Sequence, residues 1–357
     1  MIFRIFFVVL AISFTSVANE TNSHSKISRL ERSNLLLFHE SNGKVAQGKL
    51  KKDWEKRRAE ILRAMQEVMG PLPVKEKRCP LSVQTIEEVD GGSYIRKLIT
   101  YQAEPNSRTP AYLLIPKKAL EKNAQVRAIL CLHPTDMQLG HKVVVGLGGK
   151  EDRSYASELA ERGFVTLSPA YPQMANYAPD LKALGYESGT MKAIWDNSRG
   201  IDFLESLPFV KRDGVAAIGH SLGGHNSIYT AVFDSRVKVI VSSCGFDSYL
   251  DYMDGNIKGW TSERYMPKLK NYSLAEIPFD FHEMIAALSP RPVFVNAPTG
   301  DTNFKWQSVD RVVAAAKEIY GLDNAGKNLR VEHPECGHDF PGPVREKAYK
   351  FIEDNLP

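Results

Sequence analysis

Ser221 stands in the run Gly219-His220-Ser221-Leu222-Gly223-Gly224, after the apolar stretch Val215–Ile218 and before a helix-like segment carrying Ile228, Tyr229 and Val232. A serine flanked by glycines two positions away on either side, at a strand-to-helix turn, has the makings of an exposed nucleophile. Such a turn strains the serine backbone, and side chains at 219 or 223 would strike the neighbouring strand and helix. The N-terminus of the following helix places partial positive charge where an oxyanion would develop, and the backbone N–H of Leu222 is the first donor expected there. A serine hydroxyl also needs a base. Of the nine histidines, His338 is the candidate, because Glu335-Cys336-Gly337-His338-Asp339-Phe340 reads as a loop between the last strand and the last helix, with Gly337 free to turn. His333, at a strand end, reads as structural. The imidazole in turn needs an acid on its other nitrogen. Asp301, in Thr299-Gly300-Asp301-Thr302-Asn303, directly follows the run Pro292–Asn296 and is favoured. Asp247, after the preceding strand, is the competitor.

A second oxyanion donor is expected after an early strand, in Leu130-Cys131-Leu132-His133-Pro134-Thr135-Asp136. Pro134 has no N–H, so the backbone N–H of Thr135 is named for that place, and His133 reads as a histidine tying the loop down. Trp306 and Trp260 are candidates for stacking on a substrate ring, set against core packing. Other chemistries fare worse. Glu332, His333, Glu335, Cys336 and His338 cluster in sequence, but their spacing matches neither paired-cysteine metal sites nor H-E-x-x-H. Gly146-Leu147-Gly148-Gly149 does not follow a strand as a phosphate loop must, and reads instead as a flexible rim. No cofactor and no metal is expected.

Positioning these groups requires a sheet. Short continuous apolar runs at Ala128–Leu132, Phe164–Ser168, Val215–Ile218, Val237–Ser242, Pro292–Asn296 and Leu329–Val331 suit strands buried on both faces. Helical patterns lie between them, near Arg153–Arg162, Thr190–Leu207, Leu222–Ala231 and Val309–Tyr320, with a last helix at Val344–Asp354. The expected fold class is therefore α/β: a mostly parallel central sheet with helices on both faces. Its start is antiparallel. A helix at Asp53–Met69, capped by Asp53, precedes a hairpin of Ser82–Val89 and Tyr94–Tyr101 turned by Asp90-Gly91-Gly92, then Pro110–Ile115. Almost fifty residues separate Ser243 from Pro292 and carry Tyr249, Tyr252, Trp260, Tyr265 and Phe279. This insertion before the acid-bearing strand reads either as a lid or cleft wall or as a packed excursion with buried aromatics.

The expected organisation is a signal peptide at 1–18, an N-terminal extension at 19–108 packed on the core, and a catalytic domain at 109–357, with 33–357 as one globular unit. Arg4, the apolar run Ile5–Phe14 and Ser16-Val17-Ala18 make the leader. Its apolar run is shorter than the ~20 residues a bilayer span needs. Export to the periplasm or medium is expected, with no stable membrane association after cleavage. Removing 1–18 lowers the formal charge from +4 to +3, an excess spread along the chain that gives no reason to expect nucleic acid. Four cysteines in a chain of this size make no disulfide scaffold, though a single bridge stays open, and the oligomeric state is left open too.

From about Thr109 onward the chain resembles the α/β-hydrolase superfamily, through Gly219–Gly224, Asp301 and His338. Within it, Asp280-Phe281-His282-Glu283 followed by Leu288-Ser289-Pro290-Arg291-Pro292 makes it similar to bacterial dienelactone-hydrolase-like and acetyl-xylan-esterase-like enzymes. Two departures matter. Dienelactone hydrolases use cysteine where this chain has Ser221, and glucuronoyl esterases carry Cys and Arg where it has His220 and Leu222. The resemblance implies a serine carboxylic ester hydrolase working through an acyl-enzyme on a small-molecule or oligosaccharide ester such as acylated carbohydrate. Two alternatives stay open. One is a serine peptidase of the acylaminoacyl type, although residues 19–108 are too few to build the propeller such enzymes bring. The other is a non-catalytic binding scaffold, which would have no use for all three of Ser221, Asp301 and His338.

Overall fold

The computed structural model describes residues 29–357, so the expected leader at 1–18 lies outside the described residues. The described residues open with a short antiparallel pair, β1 (Leu37–His39) and β2 (Val45–Gln47), and then α1 (Lys51–Met69). Trp54, Ile61, Met65 and Val68 form the buried face of α1, as their helical spacing predicts. The expected cap is corrected. The N-cap is Leu50, and Asp53 lies inside the first turn, where its carboxylate accepts the N–H groups of Lys49 and Leu50 at 3.1 and 3.2 Å. A carboxylate at the third helical position satisfies free N–H groups as well as one at the cap does.

β3 (Gln84–Asp90), β4 (Tyr94–Glu104) and β5 (Ser107–Pro116) form an antiparallel meander. After it, strands and helices alternate: β6 (Val126–Leu132), α2 (Tyr155–Glu161), β7 (Val165–Pro169), α3 (Gly189–Ser206), β8 (Val210–His220), α4 (Leu222–Phe233) and β9 (Val237–Ser243). The chain ends with α5 (Phe281–Ala286), β10 (Val293–Asn296), α6 (Trp306–Leu322), β11 (Leu329–Glu332) and α7 (Gly342–Asn355). Among the described residues, nine strands make one sheet in the order β11-β10-β9-β8-β6-β7-β5-β4-β3. β6 to β11 pair in parallel, and β5 joins β7 antiparallel. The expected α/β class with an antiparallel start is what the chain adopts.

Alternate residues of the strands feed two cores. Ala128, Leu130 and Leu132 of β6 pack on one face with α1, α3, α4 and α6, while Ile129 and Cys131 pack on the other with α2 and α7. That two-sided burial is why the strands read as unbroken apolar runs. The register matters most at the carboxyl ends. Leu132 pairs with Gly219, His220 with Ser243, and Asn296 with both Ser243 and Glu332. The loops that follow β6, β8, β9, β10 and β11 therefore leave the sheet at one rim.

The insertion between β9 and β10 is built of single 3-10 turns and the short α5, whose start is capped by Asp280. Its aromatic side chains turn inward: Tyr249, Phe279 and Phe281 are fully buried and join the larger core. The four thiols, Cys79, Cys131, Cys244 and Cys336, are unpaired. No helix among the described residues is long and apolar enough to cross a membrane.

Candidate active site

Ser221 occupies the turn between β8 and α4 with φ 54° and ψ −117°, a conformation that costs an L-residue energy and is sustained only by its surroundings. Those surroundings are backbone. A Cβ at Gly219 would lie 2.2 Å from the Gly223 carbonyl carbon, and one at Gly223 would lie 1.8 Å from the Leu132 carbonyl oxygen. Only glycine allows α4 to start this close to the ends of β6 and β8. The Ser221 N–H is held by the Ser243 carbonyl at 2.8 Å. The N–H groups of Gly224 and His225 bond the Ser221 carbonyl at 2.9 and 3.2 Å, whereas those of Leu222 and Gly223 precede the first such bond, so the helix presents donors and its positive end at the elbow.

His338 lies on the loop between β11 and α7, and its ring centroid is 4.8 Å from that of His220, the residue before Ser221. Its Nδ1 is 2.9 Å from Asp301 Oδ2. Asp301 Oδ1 accepts the N–H groups of Asn303 and Phe304 at 2.8 and 3.2 Å. Burial of the carboxyl, whose side chain is only 1% exposed, pushes its pKa up, but His338 and the two N–H groups outweigh that and leave it below the ordinary value. Asp301 therefore stays ionised, fixing the imidazole with its Nδ1 proton toward the carboxylate and Nε2 turned away.

The competing acid makes no such contact. Asp247 accepts the Lys305 N–H at 3.0 Å through Oδ2, and its other oxygen is buried without a partner among the described residues. Burial raises its pKa to about 8. His333 is held by the Ala297 carbonyl and Asp310. His133 bonds the Pro134 carbonyl through Nδ1 and accepts the Tyr171 N–H at 3.0 Å through Nε2, while burial lowers its pKa to about 4. It is a neutral tie that shapes the loop carrying Thr135, as its sequence context suggests. The Thr135 hydroxyl pairs with that of Tyr265 at 3.2 Å, which links this loop to the insertion.

One ring-stacking expectation is corrected. Trp260 is 4% exposed, and His225, Tyr249, Tyr252, Tyr265 and Phe281 surround its ring, leaving no face for a ligand. The burial of apolar aromatics in the insertion outweighs their value at the surface. Trp306 is half-buried at the start of α6, its ring 5.2 Å from that of His333.

The residues that hold the histidine loop escaped the sequence reading. Asn296, at the end of β10, donates to the Asp339 carbonyl and to Ser243 Oγ, both at 2.8 Å, and Ser243 Oγ shares a 2.9 Å hydrogen bond with His220 Nδ1. The Cys244 thiol donates to the same Asp339 carbonyl at 3.2 Å. Arg153, buried beside α2, donates to Asp339 Oδ1 at 2.6 Å and reaches the His338 carbonyl at 3.4 Å. Burial, helped by the charges of Arg153 and His338, holds the His220 pKa well below its ordinary value, so this second imidazole is neutral. The one available signal was a polar residue closing each apolar run, Ser243 for β9 and Asn296 for β10. For metals, the ligand atoms of Cys244, Asp301 and His338 lie within 4.8 Å of one another. The sequence-adjacent set separates: Glu332 pairs with Arg330 and Lys347, away from that group.

Comparison with known proteins adds three relatives. A Bacillus subtilis (strain 168) chain named as a hydrolase, YtaP, is 24% identical over 308 residues, covering 83% of this chain and 99% of that one. The 4-O-methyl-glucuronoyl methylesterase of Hypocrea jecorina (strain QM6a) is 25% identical over 205 residues, half of this chain and 43% of that one. Among solved structures, a glucuronoyl esterase from Solibacter usitatus superposes with a TM-score of 0.74 at 20% identity, covering 93% of this chain and all of that one. The sequence profile of the prolyl oligopeptidase family matches residues 151–351, which take in the elbow, both aspartates and the histidine loop. More than half of the chain is thus accounted for by one profile, and the chain belongs to the prolyl oligopeptidase family, as a hydrolase of the α/β-hydrolase fold.

Proposed function

We propose that the protein is a serine carboxylic ester hydrolase acting on acylated carbohydrate, with Ser221 as nucleophile, His338 as general base and acid, and Asp301 as the orienting acid. Ser221 Oγ attacks the ester carbonyl carbon while His338 Nε2 takes the hydroxyl proton. The backbone N–H groups of Leu222 and Thr135 hold the oxyanion. Collapse of the tetrahedral intermediate breaks the ester C–O bond, and the imidazolium gives its proton to the leaving alcohol. Water, activated by His338, then releases the acid and restores Ser221. The reading is carried by one observation, the 2.9 Å His338–Asp301 pair beside the strained elbow that bears Ser221.

Related chains and structures bear the names glucuronoyl esterase and methylesterase, which supports an ester of a sugar or sugar acid as substrate. His220 and Leu222 replace the Cys and Arg beside the serine of glucuronoyl esterases, which turns the assignment toward acyl esters of the acetyl type. Trp306, half-buried five residues after Asp301, is the ring assigned to stacking on the sugar. We assign residues 1–18 to an export signal, 19–108 to an extension, and 109–357 to the catalytic domain. N-terminal sequencing of the secreted protein tests the leader.

Purified protein is to be screened on acetyl, feruloyl and methyl-uronate esters of plant or algal glycans, alongside labelling by a fluorophosphonate. Turnover of the acetyl ester with labelling at Ser221 is expected. A folded protein that takes up no label would favour a binding scaffold. Membership of the prolyl oligopeptidase family keeps a peptidase reading open. Faster turnover of an aminoacyl anilide than of the acetyl ester would favour it.

A further inference from the structure

Arg264, on the insertion, is a half-buried cation that pairs with no carboxylate among the described residues. Its backbone is fixed: the Tyr171 hydroxyl donates to its carbonyl at 3.0 Å, and that carbonyl lies against Gly189, where a Cβ would meet it at 2.3 Å. Its guanidinium lies over the Tyr265 ring, 5.1 Å from the centroid. Tyr265 is the residue whose hydroxyl pairs with Thr135, and it packs with Leu222, the residue after Ser221. Arg264 therefore sits where the insertion meets both oxyanion elements. The donors of the guanidinium are poorly used. One Nη contacts the thioether of Met137, two residues beyond Thr135, and Nε is buried with no partner among the described residues. A thioether is a weak acceptor, whereas a guanidinium offers five N–H groups in a fork that matches a carboxylate.

Arg153, across the elbow, shows what a structural arginine here looks like, since it is paired with both Asp152 and Asp339. Arg264 makes no ion pair with any described carboxylate, including that of its chain neighbour Glu263. Met137, its thioether partner, is 54% exposed, so the guanidinium can leave it for a better acceptor without disturbing packing. Lys150, exposed and likewise without an ion pair among the described residues, follows the glycine-rich run Gly146–Gly149 and is near enough for its charge to act on His220.

We propose that Arg264 binds a free carboxylate on the substrate, so that the ester hydrolysed belongs to an acidic molecule, such as an O-acyl group on a uronic-acid-containing oligosaccharide. The inference rests on the ester-hydrolase reading for its chemistry, and adds a specificity group to it. The carboxylate is separate from the scissile ester: it takes the place of the Met137 sulfur on the guanidinium, while the ester carbonyl faces Leu222 and Thr135.

The test compares kcat/KM for an O-acetylated oligogalacturonide with that for an O-acetylated neutral xylo-oligosaccharide, in native protein, Arg264→Gln and Arg264→Lys. A charge-assisted contact of this kind corresponds to about tenfold or more in affinity. The acidic-to-neutral ratio is expected to fall about tenfold in Arg264→Gln through KM, to be kept in part in Arg264→Lys, and to shrink with rising ionic strength. Using the ratio removes any general effect of losing the packing on Tyr265. An unchanged ratio in Arg264→Gln overturns the proposal. If native protein hydrolyses neither ester, the ester-hydrolase reading fails. Calorimetric binding of the oligogalacturonide itself then decides for Arg264: about tenfold weaker binding in Arg264→Gln supports the site, and equal binding, or none to native protein, rejects it.

Discussion

The loops leaving β9 and β10 each carry an aspartate at the same rim, and the fold treats the two carboxyls in opposite ways. Asp301 receives two backbone N–H groups and an imidazole, and its pKa is drawn down despite burial. Asp247 receives one backbone N–H, has three aspartates for neighbours (Asp251, Asp280 and Asp301), and is pushed up to about 8. Chain position alone allowed either to serve the histidine. Hydrogen-bond supply separates them: a buried carboxyl given enough donors stays charged, and one given too few keeps its proton.

The contrast can be broken in several ways. Ser221→Ala is expected to lower ester turnover by about 10⁴-fold or more and to abolish fluorophosphonate labelling, whichever aspartate serves His338. Residual activity within tenfold of native would remove the site from this rim altogether. Asp301→Asn should cost roughly 10³- to 10⁴-fold in kcat, because it favours the wrong imidazole tautomer, whereas Asp247→Asn should cost a few-fold at most. A reversed order in steady-state kinetics would exchange the two roles.

Arg153→Met sharpens the picture on the histidine side. It unties Asp339 and the His338 carbonyl, so kcat is expected to fall about tenfold, and acetyl-ester kinetics on a variant that melts cooperatively will read it. A kcat equal to native would show that Asn296 and Cys244 hold the loop without it.

A separate effect concerns stability. A carboxyl whose folded pKa is about 8 against 3.8 when unfolded holds a proton that the unfolded chain has already lost. Its favourable contribution is complete below about pH 4 and disappears as the pH climbs through about 8. Asp247→Asn removes that titration, so its Tm relative to native should rise steadily between pH 4 and pH 8. Asp301 has the opposite sign, contributing above its unfolded value and losing that contribution as acid drives the pH through its lowered pKa. A Tm difference for Asp247→Asn that does not vary with pH would mean that Asp247 is ionised in the folded protein.

What could be read in advance depended on whether a local rule governed the residue. The elbow was legible because close main-chain contacts admit only glycine at 219 and 223, and the strands because burial on both faces writes an unbroken apolar run. Asp301 outranked Asp247 only on position; its two N–H donors come from the way residues 301–304 fold back, which no spacing announces. The Asn296–Ser243–His220 chain joins three strands in register, so its members are far apart in sequence and each alone is an ordinary polar residue. The aromatic insertion was ambiguous for a related reason. Rings able to face a sugar are equally able to fill a core, and around Trp260 the core took them.

The contact between Gly223 and the carbonyl end of β6 has a consequence for how such a protein can change. Nothing but main chain separates the first turn of α4 from Leu132, so the gap between the start of α4 and the end of β6 is set by atoms common to every amino acid. Exchanging side chains around the mouth can alter which molecules enter while that gap stays fixed. Selectivity and reaction geometry are therefore carried by different parts of the polypeptide, and one can drift without disturbing the other.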